Sequence, residues 1–163
     1  MSRKPNTRRI SNALDTLFDS NVWVALTFSS HPHHSLARKV FDGTTLANPA
    51  CFCRATQQSF LRLATTPALL RAYGAEGFGN QDAVTLITAI AKLPNVLMLP
   101  EPPDLEPLWH RLAVLPTASP KVWMDAYLDA FAIRLEARFV TIDKDFKNFE
   151  QKGLKLRLLE LDS

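Results

Sequence analysis

Trp123-Met-Asp-Ala-Tyr-Leu-Asp-Ala-Phe-Ala-Ile-Arg-Leu-Glu-Ala-Arg-Phe-Val-Thr-Ile-Asp-Lys-Asp-Phe146 joins a helical pattern to a short apolar strand that stops at carboxylates. From Trp123 to Glu136 the strong helix formers Ala, Leu, Met and Glu dominate without an internal Gly or Pro, which predicts one continuous helix. Asp125 and Asp129 then share a face, where like charges four residues apart repel by roughly 0.2–0.5 kcal/mol. Arg138 to Ile142 has the β-branched and aromatic character of a strand, and Asp143 and Asp145 fall at its C-terminal end. In an α/β protein that edge is where ligands bind.

Working outward, the chain alternates strands and helices. Leu14 to Phe18 reads as a first, central strand ending at Asp19, and Val22 to Phe28 as a helix. A helix from His33 to Phe41, a strand from Ala50 and a helix from Ala55 to Ala64 follow, the last stopped at Thr66-Pro67. Tyr73 to Asn80 reads as an exposed loop, and Gln81 to Leu93 as an amphipathic helix suited to the core or to a dimer surface. Val96 to Leu99 predicts a third buried strand, Asp104 to Leu115 a helix, and Lys155 to Leu161 a final edge strand. Such alternation predicts a three-layer α/β/α domain with a mostly parallel central sheet.

At 163 residues the chain is about one domain long, expected over 13–163, behind a basic arm at 1–12. Arg3, Lys4, Arg8 and Arg9 account for more than the net charge of +3, leaving about −1 for the rest, so the domain is not basic overall. No apolar run is long enough to span a bilayer, and the N-terminus lacks the apolar stretch of a signal peptide. A cytoplasmic protein is the expectation, with no membrane role. Cys51 and Cys53, the only cysteines, are read as small buried hydrophobes. His31, His33 and His34 cannot all share one face and have no carboxylate or Cys at ligand spacing, so they are read as residues at a helix start. Trp109 beside His110 and Arg111 could stack on RNA, but is read as core.

Asp19 followed by Ser20 and Asn21 admits two readings, a helix cap contributing about 1 kcal/mol or a catalytic carboxylate. The acids downstream favour the second, because a parallel sheet brings Asp19, Asp125 and Asp143 toward one edge. Carboxylates gathered there raise one another's pKa unless a cation neutralises them, and a hard divalent ion, Mg²⁺ or Mn²⁺, is the natural partner. That combination suits phosphodiester hydrolysis. An unrelated α/β protein using the same three residues as caps and turn formers remains the alternative.

The helix containing Asp125-Ala-Tyr-Leu and the run Phe139-Val-Thr-Ile-Asp-Lys-Asp-Phe146 resemble the C-terminal half of a PIN domain, closest to the VapC toxins of bacterial toxin–antitoxin pairs. Leu17-Phe-Asp-Ser-Asn-Val-Trp-Val-Ala-Leu26 resembles that family's opening strand and turn, and Cys53-Arg-Ala-Thr-Gln-Gln-Ser-Phe-Leu-Arg-Leu63 its second motif. The likeness covers nearly everything from Leu14 onward, with the three pieces in order. It implies an endoribonuclease acting on RNA, a VapB-like antitoxin as partner, and a homodimer. Asp19, Asp125 and Asp143 are its implied metal ligands, supported by Asn21 and by a Thr141 hydroxyl that orients a carboxylate. Asp145 is expected outside the ligand set, with Phe146 a core anchor. The family usually carries a further catalytic Glu where this chain has Ser59, flanked by Gln57 and Gln58. Two expectations follow: either the domain binds RNA or protein without cutting, or another residue compensates. Asp129, one turn beyond Asp125 and about 5–6 Å away between Cβ atoms, is the candidate; otherwise it faces solvent at the rim of the cleft.

Overall fold

Among the described residues, short runs of β-branched, aromatic and small apolar residues supply five strands: Thr16–Phe18 (β1), Ala50–Phe52 (β2), Val96–Met98 (β3), Arg138–Thr141 (β4) and Lys155–Leu158 (β5). The computed structural model describes residues 14–162; the basic arm expected at 1–12 lies outside them. All four pairings are parallel, in the order β3-β2-β1-β4-β5, with Leu17 beside Cys51 on one side and Phe139 on the other. Parallel strands need crossover connections, and here these are helical.

Among the described residues eight helices cover the sheet: Ser20–Thr27 (α1), His34–Asp42 (α2), Arg54–Ala64 (α3), Pro67–Ala72 (α4), Asn80–Ile90 (α5), Leu105–Ala113 (α6), Pro120–Arg134 (α7) and Lys147–Glu150 (α8). Successive strand residues face opposite ways, and this divides the core. Phe18 and Val140 pack with Trp23, Phe60 and Ile87 beneath α1 to α5. Leu17 and Phe139 pack with Leu108, Phe131 and Phe149 beneath α6 to α8. The result is the expected three-layer α/β/α arrangement. Trp23 stacks on Phe52 with ring centroids 3.9 Å apart, which fixes α1 against the sheet directly after Asp19.

Two local differences from the sequence reading have physical causes. β3 is an edge strand, and Leu97 and Met98 stay 39% and 41% exposed; an apolar run marks a strand without saying whether a neighbour covers it. Pro67 opens α4, because its fixed φ suits a first helical turn as well as it ends the preceding helix. α7 begins at the helix start expected at Ser119-Pro120, and so brings Lys121 onto the helix. At its other end Glu136 adopts φ 53°, a left-handed position more often held by glycine, and turns the chain directly into β4. Cys51 and Cys53 are buried free thiols, pushed above their usual pKa by burial.

Candidate active site

In the strand order β3-β2-β1-β4-β5 the chain builds outward from β1 to β3, then returns to the other side of β1 with β4. The switch point therefore lies between β1 and β4, and ligands bind outside the carboxyl ends of strands at such a point. Asp19 follows the last residue of β1, and Asp143 stands two residues beyond β4. Asp125 approaches from the second turn of α7. The three carboxylates line one cleft of about 310 Å³ with Ser59 and Arg62 of α3 and Lys121 of α7.

Asp19 is the best-held of the three. As N-cap of α1, its Oδ1 accepts from the Ser20 amide at 2.7 Å and the Ser20 hydroxyl at 3.3 Å. Its Oδ2 accepts from Asn21 Nδ2 at 3.1 Å and from the Thr141 hydroxyl at 2.7 Å. Burial still outweighs these bonds and lifts the carboxyl to about 6. Asn21 spans the switch point: its Nδ2 also donates to Thr141 Oγ1 at 3.2 Å, and its Oδ1 accepts from the Ile142 amide at 3.2 Å. Thr141 in turn accepts from the Asp143 amide at 3.0 Å. One hydroxyl thus ties the backbone at Asp143 to the carboxylate of Asp19.

That hydroxyl is fully buried. Thr141→Val keeps the shape but takes one hydrogen bond from each of Asp19 Oδ2, Asn21 Nδ2 and the Asp143 amide, so it should cost about 1–3 kcal/mol of stability. Thr141→Ser, which restores the hydroxyl, should recover much of the loss; urea unfolding of the two variants is the check.

Asp125 and Asp143 share a cation. The Lys121 ammonium donates to Asp143 Oδ2 at 2.8 Å and to Asp145 Oδ2, and stands 3.6 Å from Asp125 Oδ2. Burial tends to raise Asp143, but the bonds from Lys121 and from the Asp145 amide outweigh it and hold the carboxyl below its ordinary value. Asp125, more deeply set, is raised by burial first and by the Asp143 and Asp145 charges after it, despite Lys121. Among the described residues no three His, Cys, Asp or Glu side chains converge closely enough to ligate one ion as they stand. The donor chemistry nonetheless fits a hard divalent cation: carboxylate oxygens line one cleft, and two of them already turn toward one positive charge.

The PIN domain family model matches residues 16–152, a span that contains all three carboxylates. The chain belongs to the PIN-domain family. It is 41% identical over 144 residues to Ribonuclease VapC41 of Mycobacterium tuberculosis, covering 88% of this chain and 97% of that protein, which places it among the VapC-type members. Solved PIN-fold structures agree on the architecture. VapBC-1 from nontypeable Haemophilus influenzae superposes with a TM-score of 0.59 at 13% identity, covering 89% of this chain and 98% of that one. VapC20 of Mycobacterium tuberculosis, a sarcin-ricin loop cleaving toxin, gives 0.55 at 17% identity, covering 85% and 95%.

Within this PIN domain Asp129 lies outside the cleft that Asp19, Asp125 and Asp143 line, and it does not face solvent at the rim. It is fully buried, both carboxylate oxygens lack a hydrogen-bond partner, and it does not line the cleft. The four-residue spacing does place it beneath Asp125, but α7 runs down from the cleft into the core, between Leu128 and Ala130. Burial lifts its carboxyl to about 7, offset only partly by the charge of Lys152. Ser59, by contrast, does line the cleft, so the position where the family usually has Glu is present and carries a hydroxyl.

The three histidines serve the turn into α2. The His33 amide donates to His31 Nδ1 at 3.0 Å, and His34 Nδ1 lies 2.8 Å from the Ala25 carbonyl. Trp109 is half-buried, with its indole N–H donating to the Trp123 carbonyl at 2.7 Å. Lys121 and Arg62 went unassigned in the sequence reading. The signal for Lys121 was its place four residues before Asp125; for Arg62, its place three residues after Ser59 on the same face of α3.

Proposed function

We propose that this VapC-type PIN domain is a Mg²⁺- or Mn²⁺-dependent endoribonuclease, the toxin of a toxin–antitoxin pair, hydrolysing RNA phosphodiester bonds in the cytoplasm. The carrying observation is the meeting of Asp19, Asp125 and Asp143 in one cleft at the switch point between β1 and β4. A reading as a non-cutting RNA- or protein-binding module has less support, since the relatives that match nearly the whole chain are named ribonucleases.

Asp19, Asp125 and Asp143 would hold the ion. When bound it supplies Lewis-acid charge that lowers the pKa of a bound water and offsets charge developing on the phosphoryl oxygens. The remaining work falls to the chain. Thr141 and Asn21 fix the rotamer of Asp19, so its carboxylate enters the reaction already oriented. Arg62, exposed on the opposite wall of the cleft, has the fork of donors suited to a phosphate oxygen pair. Ser59 offers a neutral hydroxyl, so the site works with three carboxylates.

A VapB-like antitoxin and a second copy of the chain are the proposed protein partners, in keeping with the VapBC assembly among the fold neighbours. Val114, Leu115 and Trp123 expose apolar surface along one groove beside the cleft, where a partner could pack. No described helix is long and apolar enough to cross a membrane.

The test is incubation of the purified chain with RNA under Mg²⁺, Mn²⁺ or excess chelator, with Asp19→Asn in parallel. Cleavage that needs the ion and disappears with Asp19→Asn is expected. Equal cleavage under chelator would refute metal dependence, and equal cleavage by Asp19→Asn would refute the site.

A further inference from the structure

Lys121 occupies a place that helix electrostatics alone would not choose. It is the second residue of α7, where the partial positive charge of the helix N-terminus disfavours a cation. What holds its ammonium there is three carboxylates from three separate segments: Asp125 within α7, Asp143 beyond β4, and Asp145 in the 3-10 turn Lys144–Phe146. An ammonium group has three protons and no acceptor, so it can serve all three at once. Its four-carbon stem is flexible and the side chain is 56% exposed, so it can leave the carboxylates without any backbone movement. Asp125 is far less exposed, at 14%, which leaves the cleft mouth as the way out.

We propose that Lys121 is a built-in counter-ion which the divalent cation must displace, and that its released ammonium then binds the phosphate backbone of the RNA. The inference rests on the reading of Asp19, Asp125 and Asp143 as the metal site. Three carboxylates around one ammonium keep a net charge of about −2, so the cleft still attracts a divalent ion, but Asp125 and Asp143 become available only as Lys121 leaves. Metal binding is thus an exchange of cations, and the divalent ion enters against a resident charge. Lys121 and Arg62 both line the cleft, one from α7 and the other from α3. Two cations so placed can clamp a polyanion between them, a contact that salt should weaken.

Calorimetric titration of the full chain with Mn²⁺ at fixed ionic strength tests the exchange, using wild type, Lys121→Met, Lys121→Arg and Asp143→Asn. Lys121→Met should bind Mn²⁺ on the order of tenfold more tightly, because the competing charge is gone. Without metal it should melt lower than wild type, since its carboxylates have lost their cation. Lys121→Arg should stay close to wild type in Mn²⁺ affinity. With saturating Mn²⁺, Lys121→Met should raise KM for RNA several-fold with little change in kcat, and flatten the dependence of KM on salt. Unchanged or weaker Mn²⁺ binding by Lys121→Met overturns the exchange, even if its metal-free melting temperature falls, because Lys121 would then be a structural ion-pair partner only. An unchanged KM overturns the role toward phosphate. Asp143→Asn separates this failure from a deeper one: if it binds Mn²⁺ as wild type does, the metal-site reading itself is wrong.

Discussion

Asp129→Ala should melt well above wild type at pH 8 and lose that advantage near pH 4. Asp129 is fully buried with both oxygens unpaired, and its carboxyl is lifted to about 7, first by burial. In the unfolded chain the same group titrates near 3.8. Between these values the folded state holds a proton that the unfolded state releases, so raising the pH favours unfolding. The stabilising balance is complete below the unfolded value and is lost as pH rises through the folded one. At about 1.4 kcal/mol per pH unit, the loss reaches on the order of 4 kcal/mol by pH 7 to 8.

Alanine removes the group that suffers this loss and is the best helix former, at the cost of a few packing contacts in α7. A net gain of about 2–4 kcal/mol at pH 8 is expected, or on the order of 5–10 °C for a chain of this size. Asp19, lifted to about 6 by burial, bends both curves in the same window, so the difference between variant and wild type isolates Asp129. Chemical denaturation from pH 4 to 8 is the measurement. Parallel curves for the two proteins would show that Asp129 is not buried as an unpaired acid.

Asp125→Asn should have opposite effects on stability with and without metal. In wild type the Asp125 carboxyl is half-buried and raised, with Asp143 and Asp145 adding to the effect of burial and Lys121 at 3.6 Å opposing it. Losing that charge should stabilise the metal-free protein by about 1 kcal/mol. The same change removes a ligand. A cation that binds only the folded state adds about 2.7 kcal/mol at a hundredfold excess over Kd, and most of that increment should vanish. RNA cleavage should fall by about two orders of magnitude or more, since even outer partners of metal ligands are worth 10–100-fold. Thermal melts with and without Mn²⁺, beside a cleavage assay, check all three effects. A pure Asp125→Asn protein that cuts at the wild-type rate would remove Asp125 from the site.

The sequence carried the frame of this site because its main elements announce themselves locally. Asp19 directly follows an apolar strand, Asp143 follows another, and their meeting is a matter of strand order, which alternation of strands and helices already implies. Depth was not legible. Asp125 and Asp129 have the same residue type on one helical face, yet one opens into a cleft and the other lies beneath it, because which turn of α7 the core covers appears in no spacing rule. Covering was equally hidden: Val96-Leu-Met-Leu99 reads as a buried strand, while β3 is an edge. Lys121 escaped notice for a different reason. Its role depends on Asp143 and Asp145 more than twenty residues away, and only the turn after β4 brings them to it.

The central claim, that Asp19, Asp125 and Asp143 together make the metal-dependent centre of this ribonuclease, is tested most directly by locating the ion in solution. Substoichiometric Mn²⁺ added to isotope-labelled protein broadens amide resonances around its binding site. The account predicts that Ser20, Asn21, Asp125, Ile142 and Asp143 broaden first in wild type, and that Asp143→Asn abolishes the effect at the same Mn²⁺ concentration. Broadening centred instead on His31, His33 and His34, or unchanged by Asp143→Asn, would contradict it.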